Sequence, residues 1–320
     1  MNAFPDTLSQ TGYEMSVQRD ENRIGESVAE VFAIIDKRAK ATKASSRTSF
    51  CEKFVRVLSM TWIVGMAHPF GYAMAISDIR VTFRSGTEID CLQKIYMVGR
   101  YIALGFSGSV AIGFEMAQTL TRLLYHPDND IAWIPSEVAT WWQFDAQKVF
   151  NSAPKSERNG GCQLMLIGVH PNENNGDSDW AKSEVYNFRS PYFKPIRYNT
   201  LKIASIGSGS RVKPYSRMLR TLSRLDYSHM QMEVGMPGGM SRGYAMSMTE
   251  EIKKVQVKGI SSHLHICLVF RGKIELSKND YTYVGEDGSH AFRMPSVATS
   301  RVEFQRLAQI QGLETGGACC

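Results

Sequence analysis

Few side chains in this 320-residue chain combine a reactive type with a telling spacing. Thr61 opens an apolar, β-rich run, and a threonine hydroxyl becomes a nucleophile once a base takes its proton. Asp78 and Arg80 lie two apart, so on a strand they share a face. Lys94 precedes another apolar run. Two glycine-serine segments, Gly105-Phe-Ser-Gly-Ser109 and Gly207-Ser-Gly-Ser210, set hydroxyls beside permissive backbone. Each feature has a plainer reading. Thr61 suits any strand, Asp78 and Arg80 suit a structural pair, Lys94 a solvated strand end, and Gly108 a sharp turn. The turn around Ser208 also suits a phosphate at the following helix, but Arg211, Lys213 and Pro214 complete no phosphate-loop signature. His263 and His265 alternate on an expected strand. Two histidines alone make no zinc site, so core or interface histidines are the expectation. No metal or other cofactor is implied.

Regular elements must bring such residues together, and the apolar pattern predicts them. Residues 61–66 and 72–76 are apolar runs punctuated by His68, Pro69 and Gly71, a buried hairpin. Residues 80–83, a Ser85-Gly86 turn, 94–98 and 101–106 continue as strands. Ile112, Met116, Leu120, Leu123 and Leu124 mark a helix with one apolar face, and residues 136–150 a second. Residues 162–169 read as a strand between loops at 151–161 and 171–179. Strands at 185–188 and 201–206 precede a helix at 215–225. Residues 230–243 read as a loop, because glycines at 235, 238, 239 and 243 make a long helix costly. A helix at 245–257 and a hairpin of 264–270 with 273–276 follow.

This order is strands, two helices, strands, two helices, strands, which predicts an α+β domain over residues 61–276. A four-layer αββα sandwich, with two stacked antiparallel sheets inside and helix pairs outside, covers every apolar face. A three-layer α/β sandwich explains the same pattern nearly as well. Residues 1–60 read as a leader or a misassigned N-terminal extension. It is partly helical, with Ser27 and Glu30 as a capping box and Val28, Val31, Phe32 and Ile35 at helical spacing. Residues 277–320 read as a C-terminal extension ending in a flexible tail.

Composition bounds the function. Lys plus Arg number 37 against 31 Asp plus Glu, a formal +6 with no dense basic tract, so nucleic-acid binding is not expected. No apolar run reaches membrane-spanning length, and residues 1–10 lack the features of a signal peptide. The six cysteines form no CxxC pair, which points to reduced thiols and the cytoplasm. The terminal Cys319-Cys320 does not fit the usual lipidation box.

Thr61-Trp-Ile-Val-Gly65 resembles the mature start of a proteasome β-type subunit or its bacterial ring-protease relatives, which are N-terminal nucleophile hydrolases. The resemblance continues in Asp78-Ile-Arg-Val-Thr82, Lys94-Ile95, Gly105-Phe-Ser-Gly-Ser109 and Ile206-Gly-Ser-Gly-Ser210. Sixteen positions separate Asp78 from Lys94 and fourteen separate Lys94 from Gly108, the spacings of that family. Thr61 to Asp78 is seventeen rather than sixteen, which a longer turn at 68–71 absorbs. The resemblance implies acyl transfer through an ester on Thr61, followed by hydrolysis. Thr61 supplies its hydroxyl and, once it is the first residue, an α-amine base. Lys94 lowers the effective pKa of the hydroxyl, and Asp78 orients Lys94. The Gly108 N–H faces the developing oxyanion. Ser208 holds the amine and Asp78. Arg80, Ser109 and Gly209 support them.

The same resemblance implies a homo-oligomer, ring-like in that family, that cleaves peptides or unfolded proteins, with an unfoldase as a further partner. Activity requires Thr61 at the N-terminus, by self-cleavage after Met60 or by translation from Met60 and loss of that methionine. The family's supporting carboxylate near the end of the third helix is absent here. Lys258 stands about where it would fall, which leaves Ser261 or Ser262 to compensate. Two other readings stand beside the peptidase. One is an N-terminal nucleophile amidase acting on a small molecule. The other is an inactive member kept for assembly or binding.

Overall fold

An unbroken apolar run, a Pro69-Phe-Gly71 turn and a second apolar run fold into the hairpin of β1 (Trp62–His68) and β2 (Tyr72–Asp78). Every residue of both strands is buried. The computed structural model describes residues 61–83, 85–125, 132–224, 237–285 and 288–311. A short ribbon of β3 (Arg80–Thr82) and β4 (Glu88–Asp90) follows, then β5 (Ile95–Gly99) and β6 (Ile102–Gly108). Three helices come next, α1 (Val110–Leu124), α2 (Pro135–Ser152) and the single turn α3 (Lys155–Arg158). Strands β7 (Cys162–Asn174), β8 (Ala181–Arg189), β9 (Ile196–Tyr198) and β10 (Ala204–Gly207) lead through a 3-10 turn at Ser208–Arg211 into α4 (Lys213–Leu222) and α5 (Pro237–Lys254). The hairpins β11 (Leu264–Phe270) with β12 (Lys273–Lys278) and β13 (Tyr281–Gly285) with β14 (Gly288–Phe292) precede α6 (Arg301–Ile310).

The fold is mixed α+β, and all its strand ladders are antiparallel. One sheet runs β10-β1-β2-β11-β12 and another β5-β6-β7-β8-β9, with β3-β4 and β13-β14 as separate ribbons. The alternation of side chains sorts the buried residues into three clusters. Ile63, Ala67, Ala73, Ala75 and Cys267 of the first sheet meet Ile95, Ala103, Met165, Ile167 and Val185 of the second. Small residues on the first sheet let the sheets approach. A Cβ on Gly65 would overlap the Met165 sulfur. The other face of the first sheet presents Trp62, Val64, Met66, Tyr72 and Met74 to Tyr215 and Leu219 of α4 and to Tyr244, Ala245 and Met248 of α5. Leu104, Phe106, Leu164 and Phe188 of the second sheet pack with Ile112, Met116 and Leu120 of α1 and with Val138 and Trp142 of α2. Each such large apolar side chain gains roughly 1.5–3 kcal/mol on burial.

Several elements differ from their sequence expectation. The expected loop at 230–243 is helical from Pro237 onward, because Met240, Tyr244, Ala245, Met248 and Ile252 recur at helical spacing and bury against the sheet. That burial outweighs the cost of three glycines. Strand β7 continues through Pro171 to Asn174, inside an expected loop. Its register shifts between Val169 and Asn174, so Pro171 sits where the ladder is already broken. Strand β12 runs past residue 276 to Lys278. The segment expected as a C-terminal extension contributes Ala298, Phe304 and Ala308 to the cluster around α1. The expected leader helix and the terminal tail lie outside the described residues. Cys91, Cys162 and Cys267 are free and buried. Among the described residues no helix is long and apolar enough to cross a membrane.

Candidate active site

Strand β2 ends at Asp78 and β5 begins just after Lys94, so two apolar strands deliver opposite charges to one buried point. Lys94 Nζ donates to both carboxylate oxygens of Asp78, at 3.1 and 3.0 Å, and to the Arg80 carbonyl at 2.6 Å. These three bonds match the three protons of an ammonium. Both side chains are 0% exposed. Asp78 also accepts the Trp62 N–H at 2.8 Å and the Arg80 N–H at 3.1 Å. Burial pushes the Asp78 carboxyl up and is opposed by the Lys94 charge and by these hydrogen bonds. Burial pushes the Lys94 ammonium down, opposed by Asp78. Desolvation thus works against both charges, and the pair's own hydrogen bonds offset it.

Thr61 is buried beside this pair. The peptide joining Thr61 to Trp62 is held from both sides. Its N–H goes to Asp78, and its carbonyl accepts the Ser208 hydroxyl and the Gly209 N–H, both at 3.3 Å. The pairing of β1 with β10 sets this geometry by placing Trp62 opposite Gly207. Gly207 has φ +86°, and its N–H donates to Gln163 Oε1 of the second sheet at 3.0 Å. The Trp62 ring stacks on Tyr215 at 4.4 Å and lies so close over Gly209 that a Cβ there would overlap it. Thr61, Asp78, Lys94, Ser208 and Gly209, with the Arg80 backbone, are therefore one hydrogen-bonded set.

Gly108 and Ser109 stand at the junction of β6 and α1. Gly108 has φ +105°, and a Cβ there would overlap the Gly161 carbonyl. Ser109 caps α1, its hydroxyl accepting the Ile112 N–H at 3.3 Å and donating to the buried Glu157 carboxylate. The β5-β6 ladder ties this junction to the ion pair, since the Phe106 N–H donates to the Lys94 carbonyl at 3.0 Å.

The Arg80 guanidinium does not pair with Asp78. It reaches Asp90 at 2.6 and 3.3 Å and Glu88 at 3.3 Å. Asp90 in turn accepts the Ser261 hydroxyl at 2.5 Å and stands 2.8 Å from His263 Nδ1. Ser261 thus faces Asp90, and His263 precedes β11 rather than lying within it. His265 is inside β11 and buried, opposite Ser77. Among the described residues no group of three His, Cys, Asp or Glu side chains could hold a metal ion. Asp90 and Glu157 escaped the sequence reading. Asp90 ends a strand of only three residues, Glu88-Ile89-Asp90, too short to show a period, and its partner Ser261 is 171 positions away.

No protein-family model matches the chain, and no curated protein matches it.

Proposed function

We propose that the chain is an N-terminal nucleophile hydrolase that cleaves amide bonds through an ester on Thr61. The observation that carries this reading is the wholly buried Asp78–Lys94 pair, bonded to the peptide N–H next to Thr61. Structural ion pairs seldom sit fully desolvated, because removing two charges from water costs several kcal/mol per ion. A strained or costly polar arrangement is most often kept where chemistry needs it.

In this reading Thr61 becomes the first residue of the working chain. Its α-amine, with an ordinary pKa near about 8, takes the hydroxyl proton. The hydroxyl oxygen attacks the substrate carbonyl carbon, and the resulting oxyanion meets the Gly108 N–H. One such donor is worth a factor of about 10²–10³ in rate. The tetrahedral species collapses to an ester on Thr61 as the amine leaves with the proton. Water then cleaves the ester and restores the hydroxyl. Lys94 lowers the cost of the alkoxide, and Asp78 holds Lys94.

The four-layer αββα sandwich of this class belongs to the proposal. Apolar clusters between the two five-stranded sheets and on their other faces support it. Peptides or unfolded proteins are the proposed substrates, a ring-like homo-oligomer the proposed assembly, an unfoldase the proposed partner and the cytoplasm the proposed setting. One observation favours a second reading, an inactive scaffold for assembly or binding. Thr61 has no exposed surface in the full-length chain.

Intact mass and N-terminal sequence of protein made with its native upstream DNA separate the two. A chain starting at Thr61, alkylated there by conjugate addition of its hydroxyl to a peptide vinyl sulfone and unlabelled in Thr61→Ala, supports the hydrolase. A chain that stays whole from Met1 and takes no label leaves the scaffold.

A further inference from the structure

The Arg80 backbone is bonded to both partners of the ion pair. Its N–H donates to Asp78 and its carbonyl accepts from Lys94, so a shift of this one backbone unit moves both partners. The Arg80 side chain is held chiefly by Asp90, with Glu88 a second acceptor at 3.3 Å. The Arg80 Nε and Nη2 grip the two Asp90 oxygens in a fork, the geometry that makes such pairs directional. Strand β3 is three residues long and among the described residues pairs with β4 alone, so its own ladder holds it weakly.

Asp90 is anchored in turn. Its Oδ2 is shared by Arg80 Nη2, the buried Ser261 hydroxyl and His263 Nδ1. The Ser261 hydroxyl also accepts the His263 N–H at 3.0 Å, which locks the segment before β11. The His263 ring stacks on Phe292 at 4.7 Å, and Lys253 stands over the other ring of that stack at 5.3 Å. Two chain segments, β3 at Arg80 and the stretch from Ser261 to His263, thus converge on one carboxylate. One of its side-chain partners, Arg80, carries the backbone that holds Lys94.

We propose that Asp90 is a positioning residue for Lys94, acting through Arg80, with Ser261 and His263 holding Asp90 in place. The inference gives the site of the proposed hydrolase its supporting carboxylate, and to that extent rests on that reading. Asp90 serves here in place of an acidic residue near Lys258.

The test reads Lys94 directly in the full chain, without substrate. Lysine side chains are labelled with ¹³C and ¹⁵N, and the Lys94 ammonium signal is assigned by its loss in Lys94→Met. Asp90→Asn keeps the size of the side chain and removes the charge of the fork, leaving Arg80 only its longer bond to Glu88. The expected result is a displaced Lys94 signal in Asp90→Asn and a smaller displacement in the same direction in Ser261→Ala. The indole signal of Trp142, buried in the far cluster, stays in place. An unmoved Lys94 signal in folded Asp90→Asn overturns the proposal. If Asp90→Asn does not fold, Ser261→Ala decides alone, since it leaves the Arg80–Asp90 pair standing. An unmoved Lys94 signal there overturns it as well. In active protein, Asp90→Asn is expected to lower kcat by about 10²-fold with KM unchanged, the cost of a misplaced group. A displaced Lys94 signal in a protein that never acylates Thr61 would keep the positioning role and sink the hydrolase.

Discussion

Gly207 lies against the carbonyl of Thr61 so closely that a Cβ at position 207 would overlap it. Its φ of +86° independently excludes most side chains. Both constraints fall where β10 ends and the Ser208 turn begins, so the backbone at this point is shaped for Thr61. Gly207→Ala is expected to destabilise the fold by at least about 2 kcal/mol, from positive-φ strain plus the clash. Urea unfolding measures it. A change under a few tenths of a kcal/mol would mean that β10 can draw away from β1.

The Asp78–Lys94 pair predicts an asymmetric mutant cycle. Lys94→Met leaves a buried carboxylate that still has two backbone N–H donors. Asp78→Leu leaves a buried ammonium and orphans both of those N–H groups. Each single change is expected to cost about 3–5 kcal/mol, with Asp78→Leu the larger. The double variant should cost less than the sum of the two. Strict additivity in denaturant titrations would remove the coupling on which the site depends.

Ser109 does more than cap α1. Its hydroxyl also satisfies the buried Glu157 carboxylate. Ser109→Ala should therefore exceed the usual cap loss of about 1 kcal/mol, because it removes the donor of a buried acid. Glu157→Gln with Ser109→Ala should recover part of the loss. Thermal unfolding of the three variants tests this.

Acid should weaken the fold in two stages. Burial lowers His68 and His265 to about 4, from an unfolded value of 6.5. Between those values the unfolded chain binds more protons, so stability falls as pH drops from 6.5 toward 4. Asp90 acts further down. Burial alone would raise its carboxyl, but hydrogen bonds from His263, Arg80 and Ser261 together hold it well below the usual 3.8. Its contribution is complete above the unfolded value and is lost as pH falls below it. Unfolding midpoints measured from pH 7 down to about 1.5 should show the upper stage flattened in His265→Leu and the lower stage flattened in Asp90→Asn. A His265→Leu curve parallel to wild type would mean that His265 takes up its proton in the fold as readily as in the unfolded chain.

The strands that carry the candidate site were legible because they are apolar runs broken by turn residues. The hairpin at Thr61 and the strand after Lys94 need no tertiary information. The sixteen-position interval from Asp78 to Lys94 does close into contact. What escaped the sequence depends on partners far along the chain. Glu88–Asp90 holds a single apolar residue, Ile89, too little to mark a strand, and it becomes one by pairing with Arg80–Thr82. The glycines of 238–243 argue against helix until the sheet face that α5 covers is known. The guanidinium of Arg80 turns away from Asp78, which no spacing rule could tell, because its better fork partner lies ten residues on.

Chain ends ordinarily fray, since the first residues make few bonds. The peptide after Thr61 is bonded at its N–H by Asp78 and at its carbonyl by Ser208 and Gly209. A chain cut before Thr61 would thus begin with a residue already ordered. Its new amine would be born in a fixed position rather than searching for one. The entropy that a catalytic terminus must otherwise surrender, roughly 1–2 kcal/mol per residue fixed, is settled when the β-sheet folds.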